Sequence, residues 1–64
     1  TARRLYQQAC TGGDSSGCGS LGNYMYLGLG GAKDVNGGIA KLRDACRRNN
    51  TWSCNKLSSY GYSK

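Results

Sequence analysis

The side chains with the most chemistry to offer are four cysteines, Cys10, Cys18, Cys46 and Cys54, in a chain of 64 residues. Four thiols can close two disulfides, and composition alone leaves three pairings open. Together they can also hold zinc as four thiolate ligands, but structural zinc sites take their thiolates from pairs two to four residues apart. The pairs here are eight apart, so disulfides are expected and a metal is not. A chain this short gains little stability from a core alone, and two staples answer that need. Cysteine density of this order belongs to an oxidising compartment, so a secreted, periplasmic or cell-surface location is expected.

Catalysis lacks its usual parts. There is no histidine, hence no ordinary proton shuttle at neutral pH. The three carboxylates are Asp14, Asp34 and Asp44, and the first two stand where helix capping explains them. Serine is frequent but has no histidine to activate it. The stretch Gly28-Leu29-Gly30-Gly31 precedes a helix and invites comparison with a phosphate cradle. It lacks the G-x-x-x-x-G-K-[ST] order, and Asp34 follows Lys33 where a Ser or Thr is required. Linkage between elements explains it better. No catalytic residue, cofactor or enzymatic activity is expected.

Binding is better supplied. Nine Lys/Arg against three Asp/Glu give a net charge of +6, which favours an acidic protein or peptide, or an anionic surface or cell-envelope component. The same charge also serves solubility. Trp52, between the last two cysteines, either packs over a disulfide or offers a partner an aromatic anchor. Nucleic acid is a weaker candidate, because no recognised binding fold is present and the tyrosines fall at core spacing. No segment approaches the roughly 20 apolar residues of a membrane span. The chain opens on Thr1 without a signal-like apolar stretch, and is read as a processed product or a trimmed piece.

The elements that position these residues come in two copies. Sliding the chain by 36 residues lays Cys10 on Cys46 and Cys18 on Cys54, and also Ala9 on Ala45, Leu21 on Leu57, Tyr24 on Tyr60 and Tyr26 on Tyr62. Such self-similarity marks a repeat architecture. Ala2, Leu5, Tyr6, Ala9 and Cys10 share one helical face, as do Val35, Ile39, Leu42, Ala45 and Cys46. Polar breaks follow at residues 11–14 and 47–50, with Gly or Asn suited to a left-handed helix end. Asp14 or Ser15, and Asn50 or Thr51, can cap the next helix. That helix carries Cys18, Leu21, Tyr24, Met25 and Tyr26 in copy one, and Cys54, Leu57, Tyr60 and Tyr62 in copy two. A loop at 28–33 joins the copies, and Asp34 is a further cap candidate.

The expected fold is all-α: one domain over 1–64, with repeat one at 1–30 and repeat two at 35–64, four antiparallel helices forming a short α-solenoid. Its glycines are read as punctuation. Gly37 and Gly38, early in the third helix, each cost about 1 kcal/mol relative to Ala, which predicts a frayed end. A cysteine late on one helix and another early on the next pin the two at their shared turn. The pairing expected is therefore Cys10–Cys18 and Cys46–Cys54, each contributing about 2.5 kcal/mol on a chain-entropy estimate.

The pattern A-x-x-L-Y-x-x-A-C-x-x-G-x-x-x-G-C-x-x-L-G is carried by Ala2, Leu5, Tyr6, Ala9, Cys10, Gly13, Gly17, Cys18, Leu21 and Gly22, with Gly28, Gly30, Lys33 and Asp34 in the loop. In these residues the chain resembles the Sel-one-like repeat family, relatives of the tetratricopeptide repeats, and especially its cysteine-rich secreted bacterial branch. Copy two departs from the pattern, with Asn49, Ser53 and Ser58 in place of glycines, and Gly37-Gly38 replaces a usual Lys-Ala. The resemblance implies a paired-helix solenoid, one disulfide per unit, and protein or peptide binding on a concave face lined by the first helix of each unit. Two units make that face shallow. It would gather Arg3, Arg4 and Gln7 from copy one with Lys41, Arg43, Arg47 and Arg48 from copy two. The expected function is a secreted or periplasmic module that binds a protein or peptide through this basic face. The alternative is a small cationic, bacteriocin-like antimicrobial effector.

Overall fold

The polar breaks become turns and caps. The computed structural model describes residues 2–62 and places helices at α1 (Ala2–Thr11), α2 (Ser15–Leu27), α3 (Val35–Arg47) and α4 (Thr51–Ser59), with no strand among the described residues. Asp14 caps α2, its carboxylate accepting from the Ser16 and Gly17 amides at 2.9 and 3.4 Å. Asp34 caps α3 through the Gly37 amide at 2.9 Å, and Asn50 caps α4 through the Ser53 amide at 2.9 Å. One residue before the first and last of these caps, Gly13 and Asn49 take φ of 94° and 68°, the left-handed region that Gly and Asn enter most readily. Each turn reverses the chain, and a disulfide closes across it. The bonds are Cys10–Cys18 and Cys46–Cys54, with Cα–Cα separations of 4.4 and 4.8 Å. The all-α, doubly stapled architecture expected from the repeat is present, with the pairing that the spacing selects.

α2 is the hub. α1 packs on α2 alone, whereas α3 and α4 pack on α2 and on each other. Three helical glycines of α2 each admit a different neighbour. A Cβ at Gly17 would stand 2.6 Å from the Ala9 Cβ of α1, one at Gly19 would collide with the Ser53 hydroxyl of α4, and one at Gly22 would stand 2.6 Å from the Gly38 carbonyl of α3. The last contact is reciprocal: a Cβ at Gly38 would stand 2.5 Å from the Gly22 carbonyl and 2.7 Å from the Tyr26 amide nitrogen. These glycines are not punctuation. Nor is the start of α3 frayed, as the sequence suggests: Asp34 caps it, and Gly38 is buried against α2. Close backbone approach offsets the helix-propensity cost of that glycine.

The core is Ile39, Leu42 and Leu57, flanked by Tyr26, Val35, Cys46 and Tyr60, with Cys18, Leu21 and Ala45 also buried. All of it belongs to α2, α3, α4 and the residue that ends α4; α1 buries none of its residues. Ser53 is fully buried, and its hydroxyl donates to Asn50 Oδ1 at 2.8 Å, so the cap of α4 also satisfies the one buried polar side chain among the described residues.

Side chains also join the repeats. Tyr26 stacks on Tyr60 with centroids 4.1 Å apart and meets Tyr62 edge-on at 6.5 Å. The Tyr60 hydroxyl donates to Asn23 Oδ1, and Asn50 Nδ2 donates to Ser16 Oγ at 3.3 Å. Tyr60 and Tyr62, expected on the last helix, instead lie just beyond it. Gly61, at φ 86°, stands where repeat one has Met25 and ends the helix early. That release lets both tyrosines turn back onto Tyr26.

Candidate binding groove

Since α1 and α3 both lie against α2 but not against each other, a hollow of about 220 Å³ remains between them. Leu21 and Met25 of α2 form its floor, Gln7, Cys10 and Thr11 of α1 one wall, and Lys41 of α3 the other, with Arg3 near the start of α1. Arg3, Gln7 and Lys41 of the expected basic face therefore meet here. Leu21, Met25 and Thr11 were not anticipated. Their spacing marks Leu21 and Met25 as inward-facing, but whether an inward residue is sealed or left open depends on the gap between two neighbouring helices. No single helical pattern encodes that gap.

The three shared residues differ in what they can offer. Arg3 Nε donates to the Leu29 carbonyl at 3.0 Å, and its Nη2 to the Ala32 and Tyr24 carbonyls at 3.0 and 3.3 Å. This guanidinium therefore clamps the inter-repeat loop to α1. Lys41 is half-buried and, among the described residues, has no carboxylate against it. Asp14 and Asp34 are engaged in capping. Asp44 lies 3.8 Å from Arg47 and 3.4 Å from Arg48. Gln7 is exposed and keeps its amide on the wall.

The remaining candidates lie outside the hollow. Arg4 borders a more open depression along α1 with Gln7, Gln8 and Thr11. Arg43 is exposed on α3. Arg47 and Arg48 gather at its end with Asp44, where their charge complements the helix dipole. Trp52 is 44% exposed. Its ring edge would be 3.5 Å from a Cβ at Gly19, and the Lys56 ammonium sits 5.3 Å from its centroid. Trp52 thus lies at the α2–α4 junction, among residues that do not line the hollow.

An apolar floor, an amide and a hydroxyl on one wall and, on the other, a cation with no carboxylate against it among the described residues suit an anionic, partly apolar segment. All four cysteine sulfurs are oxidised and offer no thiolate. No helix among the described residues is long and apolar enough to cross a membrane. Comparison with protein-family models, with curated proteins and with solved structures finds no match to this chain.

Proposed function

We propose that this protein is a secreted or periplasmic, non-enzymatic binding module whose partner is an acidic protein or peptide segment held between α1 and α3. The observation that carries this reading is the groove itself, apolar along Leu21 and Met25 and bordered by Lys41, which has no carboxylate against it among the described residues. The net charge of +6 raises the local concentration of anionic partners and speeds encounter. The resemblance to cysteine-rich Sel-one-like repeats is part of the same proposal and supports a concave first-helix face as the binding surface. The test is selection from a displayed peptide library on the oxidised protein. Enrichment of acidic sequences whose binding is lost in Lys41→Glu supports the reading. Binders indifferent to that reversal contradict it.

A second reading draws on a separate observation. Leu5, Leu27 and Leu29 are 64%, 48% and 45% exposed on a strongly cationic molecule, which suits a small antimicrobial effector acting at an anionic envelope. Strain-restricted growth inhibition by the oxidised protein, absent after reduction, would favour this reading over the first.

A further inference from the structure

The two disulfides are equivalent in sequence but not in what depends on them. Cys46–Cys54 joins two helices that already share the core: Leu42 and Ala45 are fully buried on α3, Ser53 and Leu57 are buried on α4, and Tyr60 stacks on Tyr26. Cys10–Cys18 joins α2 to a helix none of whose residues is fully buried and that packs on no other element. Besides that bond, α1 is held by the Arg3 clamp on the loop, by the edge-to-face contact of Tyr6 with Tyr24 at 5.1 Å, and by Ala9 seated against Gly17. A 10-residue helix is also too short to persist on its own in water. Yet α1 supplies Gln7, Cys10 and Thr11, one whole wall of the groove.

We infer that Cys10–Cys18 is a redox latch on the groove. With the bond closed, α1 is docked and the groove exists; with it open, α1 leaves α2 and unwinds while α2, α3 and α4 stay folded. The inference rests on the groove being the binding site, and adds its control. The reductant is a dithiol, either a small molecule or a thioredoxin-like protein. Its thiolate attacks the half-buried Cys10 sulfur, which together with Cys18 lies at the α1–α2 turn. The S–S bond breaks, Cys18 leaves as a thiolate and takes up a proton, and the mixed disulfide is resolved by the second thiol of the reductant. Two electrons and two protons pass to the protein, and the dithiol becomes a disulfide. The protein-wide consequence is local unfolding of one helix.

Hydrogen exchange by NMR on two variants tests the latch without any ligand. In C10S/C18S, which keeps Cys46–Cys54, the α1 amides are expected to open roughly 70-fold more often, the factor given by the chain entropy of a short closed loop. Amides of α2, α3 and α4 keep protection well above those of α1. In C46S/C54S, α1 stays as protected as α2. Protection of α1 unchanged in C10S/C18S would overturn the latch, as would loss of protection across all four helices together. The oxidised protein is then titrated with an acidic peptide selected on it. Binding to the parent and at least a tenfold loss in C10S/C18S supports the control of the groove, and equal binding to both refutes it. Failure to select any peptide on the parent counts against the groove as a site, and the exchange data still decide the latch.

Discussion

At the residue scale the decisive positions are small. Gly38→Ala should destabilise the protein by about 2 kcal/mol, measured as a lower urea midpoint, although alanine is the better helix former by roughly 1 kcal/mol. A methyl group there would stand 2.5 Å from the Gly22 carbonyl and force α2 and α3 apart. If Gly38→Ala proves stabilising, the backbone contact between those helices is not what orders them. Tyrosine chemistry makes a second prediction. Burial and the neighbouring Tyr26 raise the Tyr60 hydroxyl above its usual value of 10, and a hydrogen bond and charge interaction with Tyr6 raise Tyr24. The folded state therefore holds these protons more tightly than the unfolded chain does. Stability from this source is complete below about pH 10 and is lost as pH rises through the folded values. A denaturation series above neutrality should show that loss, and Tyr60→Phe should blunt it. Cysteine pairing was legible at this scale because eight-residue spacing across a polar break admits few geometries. The packing glycines were not: Gly17, Gly19, Gly22 and Gly38 look like breakers in one dimension, and only the facing helix shows what they make room for.

At the scale of elements, periodicity and capping residues account for all four helices. Asp14, Asp34 and Asn50 each stand one residue before a helix and accept from its first turn. Asn50→Ala should cost more than the usual 1 kcal/mol of a lost cap, because Ser53 Oγ would lose its acceptor inside the core and a buried unsatisfied hydroxyl costs about 1–3 kcal/mol more. Thermal unfolding of Asn50→Ala beside Asp34→Ala checks this, since the Asp34 carboxylate accepts only from an exposed amide. Equal losses would mean that Ser53 finds another partner. The end of α4 was less legible. Tyr60 and Tyr62 align with Tyr24 and Tyr26 by register, but Gly61 for Met25 removes the last turn and converts helix residues into a cross-repeat stack. Arg3 shows the same limit, for its helical position suggests a solvent-facing cation, whereas two carbonyls of a distant loop and one of α2 claim it.

At the scale of the whole molecule, duplication produces asymmetry. Repeat two carries most of the core, while repeat one supplies every groove-lining residue but Lys41, so the groove belongs mainly to one unit and is closed by the other. The fold class was legible because the 36-residue register and the cysteines repeat together; the groove was half-legible, since its charged residues could be named and its floor could not. That groove is the proposed binding site, and Trp52, exposed at the α2–α4 junction, is its natural rival. The most direct measurement is amide shift mapping of the oxidised protein titrated with a library-selected acidic peptide, repeated on Lys41→Glu and Trp52→Ala. A peptide held in the groove shifts Gln7, Thr11, Met25 and Lys41, loses at least tenfold in binding to Lys41→Glu, and changes little with Trp52→Ala. Shifts centred on Trp52, Lys56 and Gly19, with binding lost in Trp52→Ala and kept in Lys41→Glu, would contradict it.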